Sequence, residues 1–451
     1  MKTLILILAA GQGKRMHSNR PKMLQPLAGQ PLITHLLDTL APLGYPMAMV
    51  YGHQGEALQS ALQPHYPQLL WIHQAEQRGT GHAVQQAIDM IQGYERVLVL
   101  LGDTPLIQAQ TFEKLLSQEQ DLTLLSALVP DSTGYGRVVR NREGAVLEVV
   151  EEKDANASQK AILEINTGVM LFKSALLLKG LPELQPNNAQ GEYYLTDLIA
   201  YASQNGYQLE AIPVEDYHEA QGINDRLQLA NAERYLRTQR TESLMRQGVS
   251  LIDPERVDIQ GTLTVGRDVI IEPNVIFKGN NTLGDNVVIE SGSVIINSII
   301  GANSQILSHS RVEESVIGEH VQVGPFARLR PKTELGHHSK IGNFVETKAL
   351  SLGEYSKINH LSYVGDAKVG KRVNIGAGTI TCNYDGAHKH STILGDDVFI
   401  GSNTALVAPI EIGNYATVGA GSTLRTNVDA HDLALTQSAL VVKPHWERPK
   451  K

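Results

Sequence analysis

The sequence predicts a two-part chain: an α/β domain with a mostly parallel, Rossmann-like sheet, then a parallel β-helix of hexapeptide repeats. Three observations carry this. Short apolar runs alternate with amphipathic helical patterns over residues 1–225. After about residue 250 an aliphatic residue returns at every sixth position. And 451 residues are too many for one ordinary domain.

The strand candidates of the first part are TLILILAA (3–10), MAMVYG (47–52), RVLVLLGD (96–103), LTLLSALV (122–129) and AVLEVVE (145–151). PLITHLLDTLAPL (31–43) and GHAVQQAIDMIQ (81–92) read as helices between them. In such sheets ligands gather at the carboxyl ends of strands, where the loop after residue 10 and LLGD both lie. Residues 226–246 hold no Gly or Pro and read as a linker helix. The β-helix occupies 247–424 and a tail 425–451. Its hexads run through Val265, Ile271, Phe277, Leu283, Ile289 and Ile295, then Val323, Leu329, Leu335 and Ile341. A third run has Leu394, Ile400, Leu406, Ile412, Val418 and Leu424. One inward aliphatic per short strand fills a triangular coil. Roughly two dozen hexads make about eight coils rising ~40 Å. The period is silent on handedness, and the crossover rule favours right-handed.

Composition excludes several classes. A net charge of −8 argues against bulk nucleic-acid binding. No apolar stretch approaches the ~18–20 residues of a membrane span. The opening LILILAA runs into Gly-Gln-Gly-Lys-Arg, not a cleavage site, so it reads as a strand and not a signal peptide. The one cysteine, Cys382, fits a reducing cytoplasm.

The stretch LAAGQGKRMHSNRPKML (8–24) poses the first chemical question. A dinucleotide fingerprint needs a third glycine, which this loop lacks. What remains is a glycine turn whose amides approach phosphates, with Arg15 and Lys22 adding positive charge, or a tight turn with solvated cations. Asp103 ends a very apolar run. It either holds Mg²⁺ on phosphates or, with Thr104, caps a helix starting at Pro105.

LAAGxGxRM followed by PKxL resembles the signature of sugar-phosphate nucleotidyltransferases, in which this loop holds a nucleoside triphosphate. With QAEQRGTGHA (74–83), GYGRV (134–138), VVEEKDA (149–155), EINTGV (164–169), GEYYLTD (191–197) and QGINDRLQL (221–229), the chain is similar to one family in particular. It is that of the bacterial bifunctional N-acetylglucosamine-1-phosphate uridyltransferase/glucosamine-1-phosphate acetyltransferases. The resemblance implies that Asp103 and Asn224 ligate Mg²⁺, that Arg15 and Lys22 meet phosphates, and that Gln74, Gly79 and Thr80 meet uracil. Leu8, Ala9, Ala10, Gly11, Leu101 and Gly102 would complete the UTP/UDP-N-acetylglucosamine site, with Gly136, Glu151 and Asn166 around the acetamido sugar. Lys14 stands where the family has Thr or Ser, and Leu101 where it often has Tyr. The implied reaction is in-line attack of the sugar 1-phosphate on the α-phosphorus of UTP, releasing pyrophosphate.

The second half carries its own signals. Residues 265–320 hold three basic and seven acidic residues, residues 321–392 ten basic and five acidic, so the solenoid changes sign and suggests an anion site. The hexad rhythm is broken at CNYDGAHKHSTI (382–393), a loop a regular coil does not need. NHLSYVGD (359–366) and GAGTITCNYDG (376–386) resemble the acetyltransferase half of the same family, which winds left-handed prisms and forms homotrimers with acetyl-CoA between them. By that resemblance His360 is the base, and Arg330 and Lys348 grip the sugar phosphate. Tyr363, Asn374, Asn383 and Tyr384 line the site, and Ala377, Lys389, Ser402, Ala420 and Gln437 meet acetyl-CoA. Gln437 replaces an expected Arg. A neutral imidazole, with a pKa of about 6.5, suits proton removal from an amine. The pairs His337-His338 and His388/His390 lack the partners of a zinc site.

The expected substrates are therefore glucosamine-1-phosphate, N-acetylglucosamine-1-phosphate, UTP and acetyl-CoA, with Mg²⁺ as cofactor. Two other readings compete: a β-helix serving only regulation or oligomerisation, and a non-enzymic chain of the kind found in translation-factor subunits.

Overall fold

The computed structural model describes residues 2–11, 13–437 and 440–449. Contacts divide the chain into two units at Tyr235/Leu236, within the helix Arg226–Arg246.

In the first unit the strand Thr3–Leu8 lies between Arg96–Leu101 and Met47–Tyr51, parallel to both, with Leu70–His73 parallel beyond. Leu4 to Ile7 are fully enclosed, because helices cover both faces, and this is why the run shows no polar alternation. The helix Leu32–Leu40 buries Leu32, Ile33, Leu36, Leu37 and Leu40 as one stripe. The segment 81–92 forms two short helices, Thr80–Gln85 and Ile88–Ile91, in place of one.

On the other side of the sheet the strand candidates LTLLSALV and AVLEVVE are joined by strands from segments that read as loops or strand ends, and most of the pairing there is antiparallel. Glu164–Lys173 runs antiparallel between Arg96–Leu101 and Leu122–Leu128. Its first half, Glu164 to Gly168, is polar and bulged, which hid the strand period. Arg137–Arg140 and Val146–Val150 form a hairpin beside it.

The second unit is a wound ladder of short parallel strands, with eleven on one face among the described residues. That exceeds the eight coils read from hexads, and two of the extra strands are the end pairs Ser250–Leu251 and Leu433–Ala434. The hexad aliphatics form one continuous core, with Ile271, Ile289, Ile341, Ile400 and Val418 fully buried. Corners hold small hydroxyl residues that bond along the stack, as Ser304 Oγ does to the Gly318 carbonyl at 2.9 Å.

Many corners place a non-glycine residue at positive φ, among them His309, Phe326, Phe344, His320, His338 and Tyr355. Each costs on the order of 1 kcal/mol of backbone energy. Stacking offsets it: His309, Phe326 and Phe344 stack at 5.2 and 5.4 Å, and His320, His338 and Tyr355 at 4.7 Å each.

Candidate functional site

In the first unit the strand ends and their loops surround a cleft of about 590 Å³. Leu8, Ala10, Gly11, Arg15, Lys22, Gln74, Gly79, Thr80, Leu101, Asp103 and Asn224 all line it. So do Lys14, Gln77 and Glu192. Gln77 and Glu192 escaped the sequence reading because they sit in loops whose only signal is proximity to Gln74 and Tyr193. Ala9 lines an adjoining crevice with Pro21 and Lys22. Gly102 packs beneath, its amide donating to the Leu8 carbonyl at 2.9 Å.

The cleft has a charged centre. Lys22 Nζ donates to Asp103 Oδ2 at 2.5 Å and to Asn224 Oδ1 at 3.0 Å, joining residues 81 and 202 positions away. The side chains of Lys22 and Asp103 are only 8% and 13% exposed. Gly13 makes this possible: it has φ +60°, and a Cβ there would stand 2.8 Å from Lys22 Cβ. Asn224 is fixed just before the helix Arg226–Arg246, its amide donating to Gln228 Oε1 at 2.7 Å. Asp103 is not a helix cap, since the next helix starts at Ala109, and Thr104 Oγ1 instead donates to the Leu101 carbonyl.

Donor chemistry around Asp103 suits a hard divalent cation. Asp103 Oδ2 and Asn224 Oδ1 already share one positive charge, and the buried Asp103 Oδ1 has no hydrogen-bond partner among the described residues. Gly222 leaves that side open, since a Cβ there would lie 3.8 Å from Oδ1.

On one wall of the cleft, Gly79 has φ +110°, and a Cβ would lie 2.5 Å from the Tyr193 carbonyl oxygen. Thr80 Oγ1 accepts from the Leu195 amide at 3.0 Å, tying this loop to residues 191–197. Gly136, Glu151 and Asn166 form a separate group that does not line the cleft as described. The Asn166 amide donates to the Gly136 carbonyl at 2.8 Å, and a Cβ on Gly136 would sit 3.2 Å from the Glu151 carboxylate. Burial pushes the Glu151 carboxyl above its usual range, while Thr196 Oγ1, donating at 3.1 Å, pulls the other way.

In the β-helix the expected residues fall into two sets. One is a vertical column, Asn343, His360, Ala377, Ser402 and Ala420, in which the first four carbonyls accept from the next coil: Leu361 N to Asn343 O, Gly378 N to His360 O, Asn403 N to Ala377 O and Gly421 N to Ser402 O. His360 Nδ1 meets Asn343 Oδ1 at 2.7 Å. Asn343 was not singled out in the sequence. It precedes His360 by one coil of 17 residues, the signal that register arithmetic offers. Asn374 lies three residues before Ala377 on the same coil, paired with Lys357 and Phe399 on the adjoining coils.

The other set is cationic. Lys389 beside Lys348 lowers the Lys348 ammonium below its ordinary value, and Arg330 adds to this, while Asp366 opposes it. Asp366 also accepts from Asn383 Nδ2 at 2.5 Å, and Asn383 Nδ2 lies 3.5 Å from the Tyr363 hydroxyl. Arg330 bonds Glu346 at 3.0 Å. Lys389 belongs to the inserted loop, where it bridges to Tyr384, and Asp385 closes the turn on the amides of Ala387 and His388. The Tyr384 hydroxyl donates to the Gly386 carbonyl at 2.5 Å. Gln437 is exposed, next to Thr436, whose amide donates to Ser422 Oγ.

A cleft at strand ends with a lysine–carboxylate centre, and a hexapeptide β-helix in the same chain, are the parts of a nucleotidyltransferase coupled to an acyltransferase. Family models agree: the MobA-like NTP transferase domain matches residues 5–169, the GMPPB C-terminal domain 253–341, and the bacterial transferase hexapeptide (six repeats) 391–426. Along its whole length the chain is similar to the bifunctional protein GlmU of Marinobacter nauticus, 48% identical over 99% of both chains. The GlmU proteins of Cellvibrio japonicus and Acinetobacter baylyi are 49% and 48% identical, covering 99% or more of this chain and 99% of their own.

The chain belongs to the bifunctional GlmU family. It acetylates glucosamine-1-phosphate from acetyl-CoA in its C-terminal half. In its N-terminal half it transfers UMP from UTP to N-acetylglucosamine-1-phosphate, releasing pyrophosphate. Its product feeds cell-wall synthesis. Among the described residues no helix is long and apolar enough to cross a membrane.

Proposed function

We propose that the two reactions are carried by the two residue sets described above. The observation that carries the first is the Lys22–Asp103–Asn224 cluster, which puts one carboxylate, one amide oxygen and one ammonium at the floor of the cleft. Mg²⁺ held by Asp103 and Asn224 would neutralise phosphate charge. The Lys22 ammonium would face the triphosphate, and Arg15, on the cleft wall, would meet the departing pyrophosphate. Gln74, Gly79 and Thr80 hold the uracil, backed by Leu8 to Gly11 and Leu101–Gly102. Gly136, Glu151 and Asn166 receive the acetamido sugar. No protein nucleophile is needed, because positioning and charge neutralisation suffice for in-line displacement.

In the β-helix, His360 Nδ1–H donates to Asn343 Oδ1, leaving the Nε2 lone pair free. Nε2 takes the proton from the sugar amine as its nitrogen attacks the thioester carbonyl. The C–S bond then breaks and coenzyme A leaves as the thiolate. Arg330, Lys348 and Lys389 supply the positive charge for the sugar phosphate and coenzyme A, with Tyr363, Asn374, Asn383 and Tyr384 shaping the pocket. Small residues Ala377, Ser402 and Ala420 leave room along the column, and Gln437 stands at its end.

The domains on this reading are 1–225, the linker helix 226–246, the β-helix 247–424 and the tail 425–451, acting in the cytoplasm. The homotrimer that the family resemblance implies is supported by a continuous exposed apolar ladder beside His360. Phe326, Phe344 and Leu361 are 49%, 55% and 62% exposed on successive coils, which suits contact with further copies of the chain. Phe344→Glu is expected to yield a smaller species in sedimentation, and an unchanged mass removes the trimer reading.

The test of function supplies glucosamine-1-phosphate, acetyl-CoA, UTP and Mg²⁺ and follows products by mass spectrometry. His360→Ala is expected to make UDP-N-acetylglucosamine only when given N-acetylglucosamine-1-phosphate. If it makes the product from glucosamine-1-phosphate at the wild-type rate, His360 is not the base.

A further inference from the structure

The wall of the nucleotide cleft contains a group whose hydrogen-bond polarity is set from behind. Gln74 is only 2% exposed, and its backbone is held on both sides. Its amide donates to the Tyr51 carbonyl at 2.8 Å, and its carbonyl accepts from Gln77 Nε2 at 3.3 Å. The side-chain Nε2 faces the Gly79 carbonyl at 3.4 Å and His82 Nδ1 at 2.9 Å. A carbonyl can only accept, so the amide edge facing Gly79 carries hydrogens. Among the described residues Oε1 has no donor. Gln74 lines the cleft, which is the side its Oε1 has to serve.

His82 completes the lock. Both of its ring nitrogens face amide nitrogens: Gln74 Nε2 on one side, and Gln86 Nε2 at 3.2 Å on the other. A neutral imidazole accepts at one nitrogen only. Gln86 is exposed and can exchange its partner for water, whereas buried Gln74 cannot. Nδ1 is therefore the acceptor and Nε2 carries the proton. The ring itself leans on Tyr193, with centroids 6.3 Å apart.

We propose that His82 is a positioning residue for base selection: by accepting from Gln74 Nε2 it holds the Gln74 amide so that Oε1, an acceptor, meets the nucleobase. Uracil offers a donor, its N3–H, at the edge where cytosine offers only a lone pair. The site thus prefers UTP over CTP by the polarity of one amide. This rests on the reading that Gln74 contacts the base.

The test measures kcat and KM for UTP and for CTP, with N-acetylglucosamine-1-phosphate as the second substrate, on the full chain. His82→Leu removes the acceptor and frees the amide to turn over. The UTP-to-CTP ratio of kcat/KM is expected to fall about 10- to 100-fold, mostly through KM for UTP, with kcat changing little. His82→Asn can return an acceptor oxygen near the Nδ1 position and is expected to recover most of the ratio. A loss in His82→Leu that falls equally on UTP and CTP, or a ratio that does not move, overturns the proposal. Gln74→Ala separates the two layers. If it leaves the ratio unchanged, Gln74 does not read the base and the underlying reading fails. If it collapses the ratio while His82→Leu does not, only the role of His82 is lost.

Discussion

The nucleotide cleft and the β-helix edge position their chemistry in opposite ways. In the cleft, Lys22, Asp103 and Asn224 meet across 81 and 202 residues, at irregular loops that end parallel strands. On the β-helix, Asn343 and His360 meet because they are one coil apart, and Ala377, Ser402 and Ala420 continue the same line. The cleft gains a buried, low-dielectric centre, in which each charge depends on its partner. The solenoid gains a rigid but exposed edge, where each residue is held by the rung below it. A site of the first kind fails when one partner is removed, and a site of the second kind fails coil by coil.

That contrast can be broken most sharply at Asp103. Asp103→Ala removes the carboxylate shared with Lys22 and is expected to cut uridyl transfer by about 10³-fold, leaving acetyl transfer intact. Separate assays of the two half-reactions check this, and parallel loss of both would show that the halves are not independent. His360→Ala is the mirror experiment, with acetyl transfer falling about 10³-fold and uridyl transfer unchanged.

Packing provides the next test. Ile358 is fully buried between Ile341 and Ile375 on adjoining coils, and Ile358→Ala is expected to cost about 2–5 kcal/mol. On heating, acetyl transfer should fail before uridyl transfer. Simultaneous loss would mean that damage in the solenoid is not local.

Smaller effects sharpen the picture. Gly13→Ala puts a Cβ against Lys22 at positive φ and is expected to lower uridyl kcat/KM about 10-fold through the displaced lysine. Least of all is Asp197→Asn. Burial, with Asp154 nearby, raises the Asp197 carboxyl to about 6. From pH 3.8 to about 6 the unfolded chain loses this proton while the folded chain keeps it, so stability falls as pH rises through that window. Asn removes the cost, giving under ~1 kcal/mol at pH 8 after solvent screening and no gain near pH 3.5. Melting temperatures at the two pH values decide it.

The hexads were legible because a core one aliphatic wide repeats along the chain, so Ile271 through Val418 announce themselves without any knowledge of contacts. Thr3–Leu8 and Arg96–Leu101 were legible because strands covered on both faces are apolar throughout. Glu164–Lys173 was not, since a polar, bulged first half erases the strand period. Nor were the stacked corners: nothing local marks Phe326 or His338 as residues with positive φ, and only the coil above and below supplies the ring that stabilises each.

What the sequence determined by itself is therefore what local periodicity and local charge can write: an α/β part, a solenoid, a glycine turn with Arg15 and Lys22, and a basic half of the β-helix. The meeting of Lys22 with Asp103 and Asn224, the bond between Asn343 and His360, and the grip of His82 on Gln74 were decided by tertiary structure. The physical reason is the same each time. A hydrogen bond between side chains is set by backbone paths that bring two distant positions within about 3 Å, and no residue carries that distance in its own identity.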